Sequence, residues 1–266
     1  MAEVEARGIT FHVVRLGQGE TTVVFLHGLV MDNLSSWYFT VANPVAQVAD
    51  VVLFDLRGHG QTERPPDGYT VSSLVADIDA LLDVLVPDGR PVEIVGNSFG
   101  GLLALAYALA HPERVRGLAL VDANMSDEAW GSEVARAFAL KGEERDQMIL
   151  KYAYRWAGRN SERKINRLIT TAHQLVRGTT LVDDLASSPP VSDADLATIR
   201  CPVLALYGAA SELLDRGERL ARNVPNCEVR LFPGCTHLLL WEATEELKRQ
   251  LTDWMRRPAP AGERGG

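Results

Sequence analysis

An α/β fold, with a mostly parallel central sheet flanked by helices and an all-helical insertion, is what the sequence predicts, and three observations predict it. The first half alternates short strand-like runs with longer amphipathic ones. Those runs are apolar throughout instead of alternating with polar residues, as strands buried on both faces are. From residue 124 to 190 strand-like runs cease, and they resume at "CPVLALYG" (201–208) and "CEVRLFPG" (227–234).

In chain order the strand candidates are "TFHVV", "TTVVFLHG", "ADVVLFDLRGHG", "PVEIVG" and "VRGLALVDAN". Between the third and fourth, Leu74, Ile78, Leu81, Leu82 and Leu85 recur at helical spacing and define one apolar face of a helix over 71–85. "GLLALAYALAHPE" predicts a second helix, almost wholly buried. The block 124–190 carries the amphipathic stretches "DEAWGSEVARAFAL", "ERDQMILKYAYRWAG" and "RKINRLITTAHQLVRG" and reads as a cap inserted into a core made of 1–123 and 191–256. The tail 257–266, rich in Pro and Gly, is expected to be disordered.

Composition narrows the function. Apolar residues make up 46% of 266 residues, enough for a sizeable core. With 27 basic and 35 acidic side chains the net charge is -8, which opposes binding to nucleic acid. The local basic clusters, "RNSERKINR" and Arg256–Arg257, read as solvated helix faces. There is no apolar stretch of membrane-spanning or signal-peptide length, so a cytoplasmic, non-membrane protein is expected. Cys201, Cys227 and Cys235 form no CxxC pair, so buried thiols are expected and neither a disulfide framework nor a metal site.

The chemistry starts at "GNSFGG" (96–101), a G-x-S-x-G pattern set between a strand and a helix. Glycines there allow a sharp turn that lifts the Ser98 hydroxyl clear of the sheet, near the unpaired N–H groups of the next helix. A serine needs a base. Of six histidines, only His237 in "PGCTHLLLWE" follows Ser98 at a strand end; His12 lies in the first strand candidate, His27 and His59 in earlier loops, His111 at a helix end and His173 in the insertion.

With "FLHGLV" (25–30), "LFDLRGHGQT" (53–62), "GNSFGG", "VLALYG" (203–208) and "GCTH" (234–237) in this order and spacing, residues 8–256 resemble the α/β-hydrolase superfamily. The resemblance implies the α/β-hydrolase fold, Ser98 as nucleophile, His237 as general base, and an oxyanion hole from the backbone N–H groups of Phe99 and Leu29, with Val30 as the alternative to Leu29. It implies a catalytic acid too. Many relatives carry an aspartate three residues after the glycine of "VLALYG", where this chain has Ser211; the next residue, Glu212 in "SELL", is the expected acid, with Asp122 and Asp215 as rivals. His27 and the Asp55, Arg57 and His59 of "DLRGHG" are expected to be structural. Cys235 is expected to be a packed thiol, and Trp130, Tyr152, Tyr154 and Trp156 either line a pocket or fill the cap core.

The expected activity is cofactor-free hydrolysis of an ester, thioester or lactone in a small or medium, largely apolar molecule. Hydrolysis of a carbon–carbon bond beside a ketone is the alternative within the same scaffold. A non-hydrolytic lyase, cyclase or receptor is the alternative outside it. Epoxide or halide displacement is disfavoured because relatives performing it carry aspartate where this chain has Ser98, and haloperoxidase activity would be a side reaction of the same site.

Overall fold

A computed structural model of the chain describes residues 2–127, 130, 147 and 162–258. Eight strands form one sheet: β1 (Ala2–Ala6), β2 (Ile9–Leu16), β3 (Thr22–Leu26), β4 (Asp50–Phe54), β5 (Val92–Asn97), β6 (Val115–Val121), β7 (Val203–Gly208) and β8 (Cys227–Phe232). Their order is β1-β2-β4-β3-β5-β6-β7-β8. The first two pairings are antiparallel and the rest parallel. Strands β3, β4, β5 and β7 are buried along their whole length, as their unbroken apolar runs require.

Helices α1 (Val71–Leu85), α2 (Phe99–Ala110), α3 (Glu162–Gly178), α4 (Leu181–Ala186), α5 (Asp193–Leu196), α6 (Leu214–Asn223), α7 (Leu239–Glu242) and α8 (Thr244–Met255) follow in chain order. A helical run over 35–45 precedes them. Helix α1 starts at Thr70, whose hydroxyl caps the Ser73 N–H at 3.1 Å, and it buries Leu74, Ile78, Leu81 and Leu82. One core joins α1 and α2 to one face of the sheet through Phe11, Ile78, Leu103 and Leu118. A second core, holding Trp37, Val45, Leu204 and Leu251, packs the 35–45 run and α8 on the opposite face. Sheet and both faces therefore match the predicted architecture.

The described part of the insertion is helical at α3 and α4; Tyr152, Tyr154 and Trp156 lie outside the described residues. Trp130 is buried and stacks on Phe99, with ring centroids 6.3 Å apart and planes 12° apart, so it packs in the core behind the nucleophile turn. Two residues of the expected tail, 257 and 258, are among those described. Arg257 donates to buried Glu93 at 2.6 Å and lies 3.5 Å over the Trp254 ring, so this residue is held by charge and burial; residues 259–266 lie outside the described ones. All three cysteines are free and half-buried, and burial pushes the Cys201 and Cys227 thiols up to about 11.

Candidate active site

Parallel strands bring their carboxyl ends to one edge, and there the chain turns from β5 into α2 at Ser98. Its backbone sits at φ 52°, ψ -117°, a region a non-glycine residue occupies only when its surroundings enforce it. The glycines on either side make the turn possible by close approach. A side chain at Gly100 would lie 2.7 Å from the His27 carbonyl oxygen, and one at Gly96 would lie 2.6 Å from the Gly101 nitrogen. The Ser98 N–H donates to Val121 (3.1 Å) and its carbonyl accepts from Asn124 (2.9 Å), which ties the turn to the end of β6.

His237 comes from the loop after β8. Gly208, ending β7, lets that loop approach: a Cβ there would meet the Thr236 carbonyl oxygen at 2.6 Å. Ala210 N–H holds the Cys235 carbonyl at 2.9 Å, and Glu242 accepts from the Thr236 N–H (2.6 Å) and hydroxyl (2.9 Å). So fixed, His237 places Nε2 3.1 Å from Ser98 Oγ.

The carboxylate on the other side of the ring is Asp122, with Oδ2 2.6 Å from His237 Nδ1. That corrects the expectation of Glu212. Asp122 directly follows β6, at φ 44°, a left-handed conformation that aspartate tolerates. It is fully buried and also accepts from the Gly208 N–H at 2.9 Å and the Ser211 hydroxyl at 2.5 Å. The reason for the miss is side-chain direction: in the turn after β7, Ser211 points inward to Asp122, whereas the adjacent Glu212 is exposed and lines the mouth of the cavity. Asp215, the other rival, is exposed and pairs with Arg216 at 2.5 Å.

Because Asp122 is an acceptor, His237 Nδ1 carries the proton and Nε2 is left to accept from Ser98. The chain Asp122, His237, Ser98 can therefore withdraw a proton from the serine hydroxyl. Beside it lies a cavity of about 150 Å³ lined by Leu29, Asn97, Ser98, Glu212, His237 and Trp241 among others.

Backbone N–H groups without a protein acceptor are expected beside Ser98 from two places. Phe99 is the first residue of α2, where backbone N–H groups have no intrahelical acceptor. In the 28–36 loop the donors are nearly all engaged: Gly28 N–H by Asp32 (2.7 Å), Val30 N–H by His59 (2.9 Å), Met31 N–H by Leu29 (2.8 Å) and Leu34 N–H by Asp55 (2.8 Å). Leu29, which lines the cavity, has no acceptor for its N–H among the described residues. This removes Val30 as the alternative donor.

The structural roles expected of "DLRGHG" are visible. Arg57 grips Asp77 of α1 with two 2.7 Å bonds. Asp55 accepts from His12, Leu34 and Gln61. His27 donates from Nδ1 to the Gly28 carbonyl (2.7 Å) and accepts at Nε2 from Leu56 (3.0 Å). Two lining residues escaped sequence reasoning. Asp32 is buried, with desolvation raising its pKa; Asn97 keeps its Oδ1 buried with no hydrogen-bond partner among the described residues. Asn97 had a signal in its place beside Ser98, and Asp32 had none. No group of three or more metal-ligating side chains occurs among the described residues.

Fold and site define a hydrolase with a serine-centred triad geometry. The chain belongs to the alpha/beta hydrolase fold family, whose model matches residues 21–197. It is 29% identical to a 2-hydroxy-6-oxo-2,4-heptadienoate hydrolase of Pseudomonas putida, over 95% of each chain. It is 30% identical to a pimeloyl-[acyl-carrier protein] methyl ester esterase of Chromobacterium violaceum, over 91% of this chain and 96% of that one. Among solved structures it is similar to Est816, an N-acyl homoserine lactone degrading enzyme, at 25% identity and a TM-score of 0.75, over 95% of this chain and all of the other. No helix among the described residues is long and apolar enough to cross a membrane.

Proposed function

We propose that the protein hydrolyses an ester, thioester or lactone bond of a small or medium, largely apolar and uncharged molecule through an acyl-enzyme on Ser98. The observation that carries the reading is the continuous hydrogen-bond chain from Asp122 through His237 to Ser98. His237 takes the Oγ proton as Ser98 attacks the acyl carbon, and Asp122 stabilises the imidazolium. The N–H groups of Leu29 and Phe99 receive the oxyanion. As the tetrahedral intermediate collapses, His237 returns the proton to the leaving oxygen or sulfur. Water then enters by the same proton route and frees the acid and Ser98.

The named activities of relatives, an ester hydrolase, a lactone-degrading enzyme and a hydrolase of an oxo-dienoate, all suit this site. The cavity favours the first two. Its described lining carries the carboxyl groups of Asp32 and Glu212 and no lysine or arginine, which opposes a substrate that is itself a carboxylate. Carbon–carbon hydrolysis on an acidic ketone is the second reading, and it rests on the likeness to the oxo-dienoate hydrolase.

The test is a substrate panel of neutral aryl and alkyl esters, thioesters and lactones, their carboxylate-bearing counterparts, and an oxo-dienoate. Turnover of the neutral compounds that vanishes in Ser98→Ala is expected. Turnover confined to the oxo-dienoate overturns the ester reading in favour of the second. A protein inert to the whole panel overturns both and points to the non-hydrolytic alternatives.

A further inference from the structure

His59 is buried, 2% exposed, and lies outside the triad. Its Nδ1 faces the Arg57 carbonyl oxygen at 2.8 Å, so that nitrogen carries the proton. Its Nε2 faces the Val30 N–H at 2.9 Å, so that nitrogen is an acceptor. Both roles are met only by the neutral ring. The His27 ring lies 5.2 Å away, with Nδ1 2.7 Å from the Gly28 carbonyl oxygen and Nε2 3.0 Å from the Leu56 N–H.

What His59 holds is unusual. Val30 has φ 63°, in the left-handed region, where a β-branched side chain crowds its own backbone. Such a conformation costs on the order of 1–3 kcal/mol and persists only when neighbours enforce it. The residue before it is Leu29, at the wall of the cavity that holds Ser98 and His237. The Leu29–Val30 peptide is thus fixed at its Val30 end by an imidazole, while Asp32 and His27 fix Gly28 on the other side. The Leu29 N–H, like that of Asp32, has no acceptor among the described residues, and Leu29 lines the cavity.

We propose that His59 is a positioning residue for the oxyanion hole: by accepting from the strained Val30 it orients the preceding backbone so that the Leu29 N–H points at the oxygen that becomes negative. The proposal rests on the acyl-enzyme reading above. Burial supports it by holding the His59 pKa down to about 3, so the acceptor is present across the working range.

Three variants test it, with kcat expressed per site titrated by a fluorophosphonate. His59→Leu removes the acceptor and is expected to lower kcat about 30-fold with KM within about threefold, somewhat less than the loss of an oxyanion donor outright. His59→Gln, whose amide oxygen reaches the same place, is expected to recover most of that loss. Val30→Gly in the His59→Leu background is expected to recover at least about fivefold, because glycine takes φ 63° without strain. On the wild type, ¹⁵N NMR of the histidine rings at pH 7 is expected to show His59 Nε2 unprotonated, a readout that stands even if His59→Leu does not fold.

A folded His59→Leu with kcat within threefold of wild type overturns the positioning role alone. So does equal loss in the Leu and Gln variants with no recovery from Val30→Gly, which marks a packing role. A protonated Nε2 overturns it too. A wild type inert towards every acyl substrate overturns both this proposal and the reading beneath it.

Discussion

Asp122→Asn is the substitution whose cost can be worked out most fully. Asp122 receives three donors within 2.9 Å: His237 Nδ1–H and the Ser211 hydroxyl on Oδ2, and the Gly208 N–H on Oδ1. Asparagine has one carbonyl oxygen for these two places. With the oxygen towards His237, its NH₂ faces the Gly208 N–H in a site with no solvent, at a cost of about 1–3 kcal/mol. With the NH₂ towards His237, the ring must accept at Nδ1 and carry its proton on Nε2, where it can no longer take one from Ser98. Neither orientation keeps a negative charge beside the imidazolium. The expected loss in kcat is about 10³- to 10⁴-fold, or about 4–5 kcal/mol of transition-state stabilisation. The assay is steady-state hydrolysis of a neutral p-nitrophenyl ester, with thermal unfolding to show that the variant folds. Glu212→Gln, run alongside, is expected to stay within about threefold. Less than tenfold loss in a folded Asp122→Asn, or a hundredfold loss in Glu212→Gln, would refute the reasoning.

Further outcomes follow from the same contacts. His59 has a native pKa of about 3 against 6.5 in the unfolded chain, so its contribution to stability is whole above pH 6.5 and is lost as pH falls towards 3. The loss between pH 7.5 and 5 is about 2 kcal/mol, read as a shift in urea midpoint that shrinks in His59→Gln. Gly100→Ala would ordinarily favour a helix, but the added methyl meets the Leu26 and His27 carbonyls, so destabilisation of at least about 2 kcal/mol is expected in denaturant titration. Arg257→Met leaves buried Glu93 without its 2.6 Å partner, and a loss of about 2–4 kcal/mol is expected by calorimetry.

Much of this was legible because local and global signals agree. The apolar runs of β3 to β7 read as doubly buried strands, and the glycine spacing around Ser98 marks the turn that close approach to Leu26 and His27 requires. His237 could be chosen by its place after the last strand. The acid could not, since Asp122 and Glu212 stand on loops that follow adjacent parallel strands and only the direction of successive side chains after β7 separates them. Ser211 holds the position where the resemblance implies an aspartate, and its hydroxyl donates to the carboxylate of Asp122, which follows the neighbouring strand. Strand β1 is absent from the strand candidates because it is an edge strand with an exposed acidic face, "AEVEA", and lacks the unbroken apolar run of the others. Its hairpin turn at Arg7–Gly8 takes φ 52° and 72° without the Asn-Gly signature. The 35–45 run was also missed: its β-branched residues and Pro44 argue against a helix, and burial of Trp37, Val41 and Val45 against the sheet overrides them.

The proposed hydrolysis requires an activated serine at position 98. Intact-mass measurement after treatment with a fluorophosphonate tests that directly, with Ser98→Ala and Asp122→Asn alongside. One adduct per chain on the wild type, none on Ser98→Ala and greatly slowed labelling of Asp122→Asn is the predicted result. A folded wild type that gains no mass, or an adduct that persists in Ser98→Ala, would contradict it.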